Sequence, residues 1–213
     1  MGRFITFEGI EGSGKTTQIR LLFEHLKEGG TDVVMTREPG GTLIGEKVRG
    51  ILLDPSSSGI APRAELFLYA AARTQHIEDV ILPALNEGSI VLCDRFTDAT
   101  FAYQGYGREI PHNVVRVVSS LVTMDLVPDL TILLDLPAEA GLARARERNR
   151  ANAASAASRF EDEDLRFHQR VRQGYLELAS AERNRIKIVP ADAPVDRVAR
   201  MIRDIVKRMP GIS

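Results

Sequence analysis

Residues Gly9-Ile-Glu-Gly-Ser-Gly-Lys-Thr-Thr17 carry the spacing G-x-x-x-x-G-K-[ST]. That spacing suits a polyphosphate. Glycines let backbone N–H groups come close to phosphate oxygens, Lys15 can reach the β- and γ-phosphates, and the Thr16 hydroxyl can ligate Mg2+. A strand-like run, Phe4–Glu8, precedes the loop and a helical run, Thr16–Lys27, follows it. The loop therefore opens a helix, whose N-terminal dipole also favours anions. Gly9, Ile10, Glu11, Gly12, Ser13, Gly14, Lys15, Thr16 and Thr17 are the expected cradle of a nucleoside triphosphate.

Other chemistry-bearing residues follow apolar runs. Asp94-Arg95-Phe96 ends one of them. Asp94 can hold Mg2+ or its water shell opposite Thr16, and the planar fork of Arg95 can bridge phosphoryl groups. Such a pair can also be a structural ion pair; its place beside a phosphate loop favours chemistry. Arg37-Glu-Pro-Gly-Gly-Thr42 is a tight turn after another run, with Arg37 suited to an acceptor phosphate. Glu65-Leu-Phe-Leu-Tyr-Ala-Ala-Ala-Arg73-Thr-Gln-His76 reads as helix. Phe67 and Arg73 can flank a pocket for a planar base, and Tyr69 and Arg73 are i, i+4 neighbours. Phe67 is equally a core residue by periodicity, and His76 reads as helix surface or core, since no second His or Cys has ligand spacing. Thr100-Phe-Ala-Tyr-Gln-Gly105 offers Tyr103 and Gln104 beside a glycine turn, or a core tyrosine. Arg144, Arg146, Arg148, Arg150 and Arg159 flank a stretch rich in Ala, Asn and Ser at Asn149–Ser158. They read as a phosphate clamp on a lid, or as a solvated charged face.

The elements that must position these residues alternate. Candidate strands are Phe4–Glu8, Asp32–Thr36, Ser89–Asp94, Leu130–Asp135 and Arg185–Val189. Candidate helices are Thr16–Lys27, Leu43–Leu53, Arg63–Asn86, His112–Thr123, Ala138–Arg150, Glu161–Arg183 and Pro194–Arg208. Strand–helix alternation predicts an α/β fold with a parallel sheet, whose ligands gather at the carboxyl ends of the strands. The 213 residues show no linker or repeat, so one domain over 1–213 is expected. A net charge of −1 gives no field to attract nucleic acid or an anionic membrane. A single cysteine, Cys93, in an apolar run, excludes an internal disulfide and a cysteine metal cluster. With no long apolar stretch and no signal-like start, a cytoplasmic protein is expected.

In chain order, Phe7-Glu-Gly-Ile-Glu-Gly-Ser-Gly-Lys-Thr-Thr17, Thr36-Arg-Glu-Pro-Gly-Gly-Thr42, Leu66-Phe-Leu-Tyr-Ala-Ala-Ala-Arg73, Asp94-Arg-Phe96 and Ala102-Tyr-Gln-Gly105 make the chain resemble the thymidylate kinase family of nucleoside monophosphate kinases. The resemblance covers most of the chain to about Arg159. It implies a P-loop kinase fold with a five-stranded parallel sheet flanked by helices, and a homodimer. It implies transfer of the γ-phosphoryl group of MgATP to dTMP, giving ADP and dTDP, a step of dTTP synthesis. By resemblance, Glu11 meets the sugar side of dTMP, Phe67 stacks on thymine, Arg73 bonds its carbonyl edge, and Thr100 and Gln104 line the same site. Tyr103 guards the 2′ position, and Arg37 and Arg95 hold the acceptor phosphate. Thr16 and Asp94 are the implied Mg2+ residues. The phosphate loop lacks an arginine, so the chain is similar to the bacterial type in which the lid supplies it. Lys15, Arg95, Arg148 and Arg150 are then the implied catalytic set, with a lid near 144–160. Two positions depart from the family pattern: Ala72 replaces an acidic residue before Arg73, and Phe96 replaces a tyrosine.

Overall fold

The computed structural model describes residues 2–151 and 159–210. The apolar runs form five parallel strands: β1 Arg3–Glu8, β2 Val33–Arg37, β3 Ile90–Asp94, β4 Leu130–Asp135 and β5 Ile186–Pro190. Their order across the sheet is β2-β3-β1-β4-β5. The helices are α1 Lys15–Glu28, α2 Leu43–Leu53, α3 Pro62–His76, α4 Leu82–Asn86, α5 Thr97–Thr100, α6 His112–Thr123, α7 Ala138–Ala151, α8 Leu165–Ala181 and α9 Val195–Val206. Central strands of such a sheet read as continuous apolar runs because both faces are covered. In β1, Ile5 and Phe7 pack with Ile19, Leu22, Ile202 and Val206 of α1 and α9. Phe4, one residue out of phase, points to the other face and joins Ile77, Ile81, Val91 and Phe96. The α/β fold expected from the sequence is the one observed.

β1 lies at the centre, between β3 and β4. The chain leaves it in opposite directions, which opens a crevice above the carboxyl ends of the strands. The phosphate loop, Arg37, Asp94-Arg95 and Asp135 all sit at those ends.

Three stretches differ from their sequence reading. The helix expected over Arg63–Asn86 is α3 and α4 joined by a π turn at Ile77–Ile81. Pro83 has no N–H and its ring clashes with an α-helical carbonyl one turn back, so the widened turn relieves it. The segment after β3 is helical, α5 running into a π turn at Phe101–Gly107, where only a glycine turn was read. It packs closely on α8: a Cβ at Gly107 would meet the Phe167 ring at 2.7 Å, and one at Gly174 would meet Tyr106 at 2.5 Å. The helix expected from Glu161 starts instead at Leu165, where Asp164 caps it by accepting from the Phe167 N–H at 2.7 Å; a 3-10 turn, Arg159–Asp162, precedes it. Of the expected lid, residues 152–158 lie outside the described residues. No described helix is long and apolar enough to cross a membrane.

Candidate active site

The loop between β1 and α1 turns on glycines. Gly12 has φ +72°, and a Cβ there would lie 2.2 Å from the Gly141 carbonyl oxygen on α7, so both chemistry and packing exclude a side chain. Ile10 is buried against Leu133, Ala138 and Tyr103, which anchors the loop to the sheet. Lys15 donates from Nζ to the carbonyls of Gly9 at 2.9 Å and Ile10 at 2.8 Å, and reaches Ser13 Oγ at 3.4 Å. Burial, with Arg95 nearby, pulls its ammonium down to about 8, against the opposing pull of Asp94, Glu11 and Glu8. Glu11, Gly12, Gly14, Lys15, Thr16 and Thr17 line a cavity of about 1140 Å3; Gly9, Ile10 and Ser13 lie behind it and hold Lys15. A single ligand pocket spans roughly 300–1,000 Å3, and this cavity lies just above that range.

Thr16 donates from Oγ1 to Asp94 Oδ2 at 3.3 Å, while Asp94 Oδ1 is buried with no hydrogen-bond partner among the described residues. A hydroxyl beside an unspent carboxylate oxygen is a donor set for a hard cation that takes its remaining ligands from water and phosphate, so these two residues fit Mg2+.

Arg95 stands where the chain leaves β3 with φ +73°. That conformation costs a side-chain-bearing residue about 1–2 kcal/mol, and it is held by the Arg95 N–H donating to the Phe7 carbonyl at 2.9 Å. The bend aims the guanidinium across the cavity floor. It donates to Tyr175 Oη, Glu11 Oε1 and Tyr103 Oη, each at 3.1 Å, and lies 4.8 Å over the Tyr103 ring. Tyr103 in turn donates to Glu11 Oε1 at 2.6 Å. Burial opposes the charge on Glu11, but His168, 3.4 Å from Oε2, together with Arg95, Lys15 and Tyr103, outweighs it and holds the carboxyl well below the usual range. Beneath them, Tyr175 donates to Glu8 Oε2 at 2.7 Å, and Glu8 Oε1 accepts from the N–H groups of Phe96 at 2.8 Å and Ala99 at 3.3 Å. Burial and the neighbouring Asp98 push Glu8 up to about 7. The sequence reading missed Glu8, Tyr175 and His168; Phe7-Glu8 is adjacent to the loop, whereas nothing local marks the two α8 residues.

At the far end, α3 faces α5 and the π turn. Arg73 is almost fully buried. It donates from Nε to Glu38 Oε2 at 2.7 Å, from Nη1 to Thr100 Oγ1 at 3.0 Å and from Nη2 to the Phe96 carbonyl at 2.9 Å. His76 lies between Glu38, at 3.0 Å, and Thr36, at 2.6 Å, so it is a core residue. Phe96 fills the core edge-on to Phe4 and under the Arg73 guanidinium. Tyr69, Arg73, Thr100, Tyr103, Gln104 and Phe160 all line the cavity. Phe67 does not: it is 58 % exposed on the outside of α3. The aromatic that shares a face with Arg73 is the one a full turn away, Tyr69, and six residues place Phe67 off that face.

Among the arginines near the expected lid, Arg144 and Arg148 line the cavity. Arg144 donates to the Ala191 carbonyl at 2.9 Å and Arg148 to Glu161 Oε1 at 2.8 Å. Arg146 and Arg150 are exposed and do not border it, because two residues are about 200° of helix rotation. Arg159 is buried: it donates to the Leu52 carbonyl at 2.5 Å and to Glu65 Oε2, which makes it a structural ion pair and not a clamp. Arg37 lines the cavity rim and donates from Nη2 to both Glu46 oxygens, at 2.9 and 3.0 Å.

The thymidylate kinase family model matches residues 7–202. The thymidylate kinase of Geotalea daltonii is 57% identical over 197 residues, 92% of this chain and 92% of that protein. That of Pelobacter propionicus is 54% identical over 202 residues, 95% of this chain and 92% of that protein. The crystal structure of thymidylate kinase from Ehrlichia chaffeensis superposes with a TM-score of 0.76 at 36% identity, covering 96% of this chain and 98% of that one.

Proposed function

The chain belongs to the thymidylate kinase family and phosphorylates dTMP to dTDP with ATP as donor, and we propose the following division of labour within its cavity. The phosphate loop, residues 9–17, holds the ATP phosphates. The end lined by Tyr69, Arg73, Thr100 and Gln104 takes thymine, with Tyr69 as the stacking face. Between them Arg37 and Arg95 hold the acceptor phosphate, and Glu11 and Tyr103 meet the deoxyribose. The observation that supports this reading most is the single cavity of about 1140 Å3, with a phosphate loop at one end and an Arg73–Thr100 pair at the other.

The attacking group is a phosphate oxygen. A phosphate monoester has its second pKa near ~6, so it is already dianionic at neutral pH and needs no general base. What opposes the reaction is the repulsion of two polyanions. Alignment and charge neutralisation in a loose transition state are the catalytic task. Lys15, Arg37, Arg95 and Arg148 supply fixed positive charge, with Lys15 exchanging its loop carbonyls for phosphate oxygens. Thr16 and Asp94 would hold Mg2+, which supplies further neutralisation of the transferring phosphoryl group.

A homodimer is part of the same proposal. Phe67 on α3 and Val117 and Leu121 on α6 are 58 %, 68 % and 78 % exposed on helices that pack against each other, an apolar face suited to a second copy. The cytoplasm, where nucleotide substrates are held, is the compartment proposed. The test is ADP release from ATP with dTMP, dUMP, dCMP, dAMP or dGMP as acceptor. Release that depends on dTMP supports the reading; equal release without acceptor, or a clear preference for another monophosphate, refutes it.

A further inference from the structure

We propose that Glu65 is a positioning residue for base selection: it fixes the Gln104 amide so that a carbonyl oxygen, not an amino group, faces the base. Glu65 is fully buried on α3, two turns before Arg73. Every partner it has among the described residues donates to it: Gln104 Nε2 at 2.7 Å to Oε1, Arg108 Nε at 3.4 Å to Oε1 and Nη2 at 3.3 Å to Oε2, and Arg159 Nη2 to Oε2. A carboxylate held by guanidiniums accepts and has no hydrogen to offer. The Gln104 amide can therefore stand only one way round, since the flipped amide would set oxygen against oxygen. With the amino group spent on Glu65, the group Gln104 has left for the cavity it lines is Oε1, which accepts no bond from the described residues.

The neighbouring groups have the opposite polarity. Three of the five N–H groups of Arg73 are used by Glu38, Thr100 and Phe96, and the other two meet no acceptor among the described residues. This edge of the cavity thus presents a guanidinium donor beside an amide acceptor. Thymine and uracil present a carbonyl beside an N3–H, which match both. Cytosine presents an amino group beside a bare N3, which match neither. A neutral amide at position 65 could donate as well as accept, so Gln104 could turn over and lose the distinction. The inference rests on the proposed thymine end of the cavity.

The test compares Kd for dTMP and for dCMP, measured by calorimetric displacement, in wild type, Glu65→Gln, Glu65→Asp, Gln104→Met and the Glu65→Gln/Gln104→Met double variant. One misplaced hydrogen-bonding group should cut the dTMP preference roughly 10- to 100-fold. Glu65→Asp keeps the charge for both arginines yet falls a methylene short of Gln104, so it should lose selectivity while remaining folded. The double variant should be no less selective than Gln104→Met alone. A role in stability alone would weaken both nucleotides together and leave the ratio unchanged, which would overturn the proposal, as would an unchanged ratio in Gln104→Met. In wild type, the Gln104 side-chain amide protons should exchange slowly with D2O and keep their NMR shifts when dTMP binds; protons that move to the ligand refute the orientation whether or not the variants fold. Wild type that neither binds nor phosphorylates dTMP would refute the reading of the cavity itself, a result distinct from an unchanged ratio.

Discussion

Replacing Glu8 with glutamine should remove a pH-dependent cost of folding. Glu8 is fully buried under the phosphate loop, and burial with Asp98 nearby lifts its carboxyl from 4.5 to about 7 despite Arg95, Tyr175 and the Phe96 N–H. The folded state thus keeps a proton that the unfolded chain releases. The resulting stabilisation is fully present below 4.5 and is lost as pH rises through about 7. Each pH unit between those values is worth about 1.4 kcal/mol, so from pH 5 to pH 8 wild type should lose about 2–3 kcal/mol through this group. Glutamine can still accept from the Phe96 and Ala99 N–H groups and can donate to Tyr175, so the three contacts survive in altered form. Any fixed cost of the exchange is the same at every pH. Groups that titrate the other way, such as Glu11, act equally in both proteins. The assay is urea unfolding of both proteins, at one concentration, at pH 5, 6, 7 and 8. The stability gap should move toward the variant by about 2–3 kcal/mol across that range; a gap that stays flat to within about 0.5 kcal/mol refutes the account of Glu8.

Further outcomes follow from the cavity. Lys15, held near 8, should regain its proton when a triphosphate arrives, so ATP binding at pH 8 should take up about half a proton, falling towards none at pH 6.5; calorimetry in buffers of different ionisation enthalpy reads this directly, and no uptake at pH 8 contradicts it. Lys15→Ala should lower turnover by a factor of about 100 or more with unfolding unchanged, and near-normal turnover would remove the loop from the reaction. Tyr69→Ala should raise KM for dTMP at least about tenfold, whereas Phe67→Asp should leave the thymine contacts alone and shift sedimentation toward monomer; the reverse pattern restores Phe67 to the site. Arg148→Ala should lower kcat by about 10- to 100-fold and Arg150→Ala by much less, because only the former borders the cavity; equal losses would contradict that placement.

The phosphate loop was legible because its function is local: backbone N–H groups, Lys15 and Thr16 lie within one turn, so spacing encodes geometry. The sheet was legible for a related reason, since strands covered on both faces must be apolar throughout. Phe67 shows where local reading stops. Its type and its neighbourhood to Arg73 suit a base, but its face does not, and the i, i+4 rule that picks Tyr69 was already available in the sequence. The segment at 97–107 was unreadable for another reason. Its helix is short, widened into a π turn, and stabilised by contact with α8 at Gly107 and Gly174, which no local propensity reports. Arg159 likewise reads as a free cation until Glu65, distant in sequence, is brought to it by the fold.

What escaped the sequence has a common physical form. Three polar groups that face the cavity are each backed by a buried carboxylate from another element: Arg95 through Tyr175 by Glu8, Arg73 by Glu38, and Gln104 by Glu65. A flexible side chain pointed at a ligand without such support would lose rotamer entropy on every binding event. Buried carboxylates fix the orientation beforehand, and their cost in desolvation is met by the arginines and amides they hold. Of these acidic residues, at the ends of β1 and β2 and near the start of α3, Glu8 and Glu65 lie behind the cavity and Glu38 reaches its wall. This arrangement separates two kinds of substitution. Loss of a cavity-facing group should act on one substrate contact, whereas loss of its carboxylate should free the group to adopt several orientations, so selectivity should fall further than affinity.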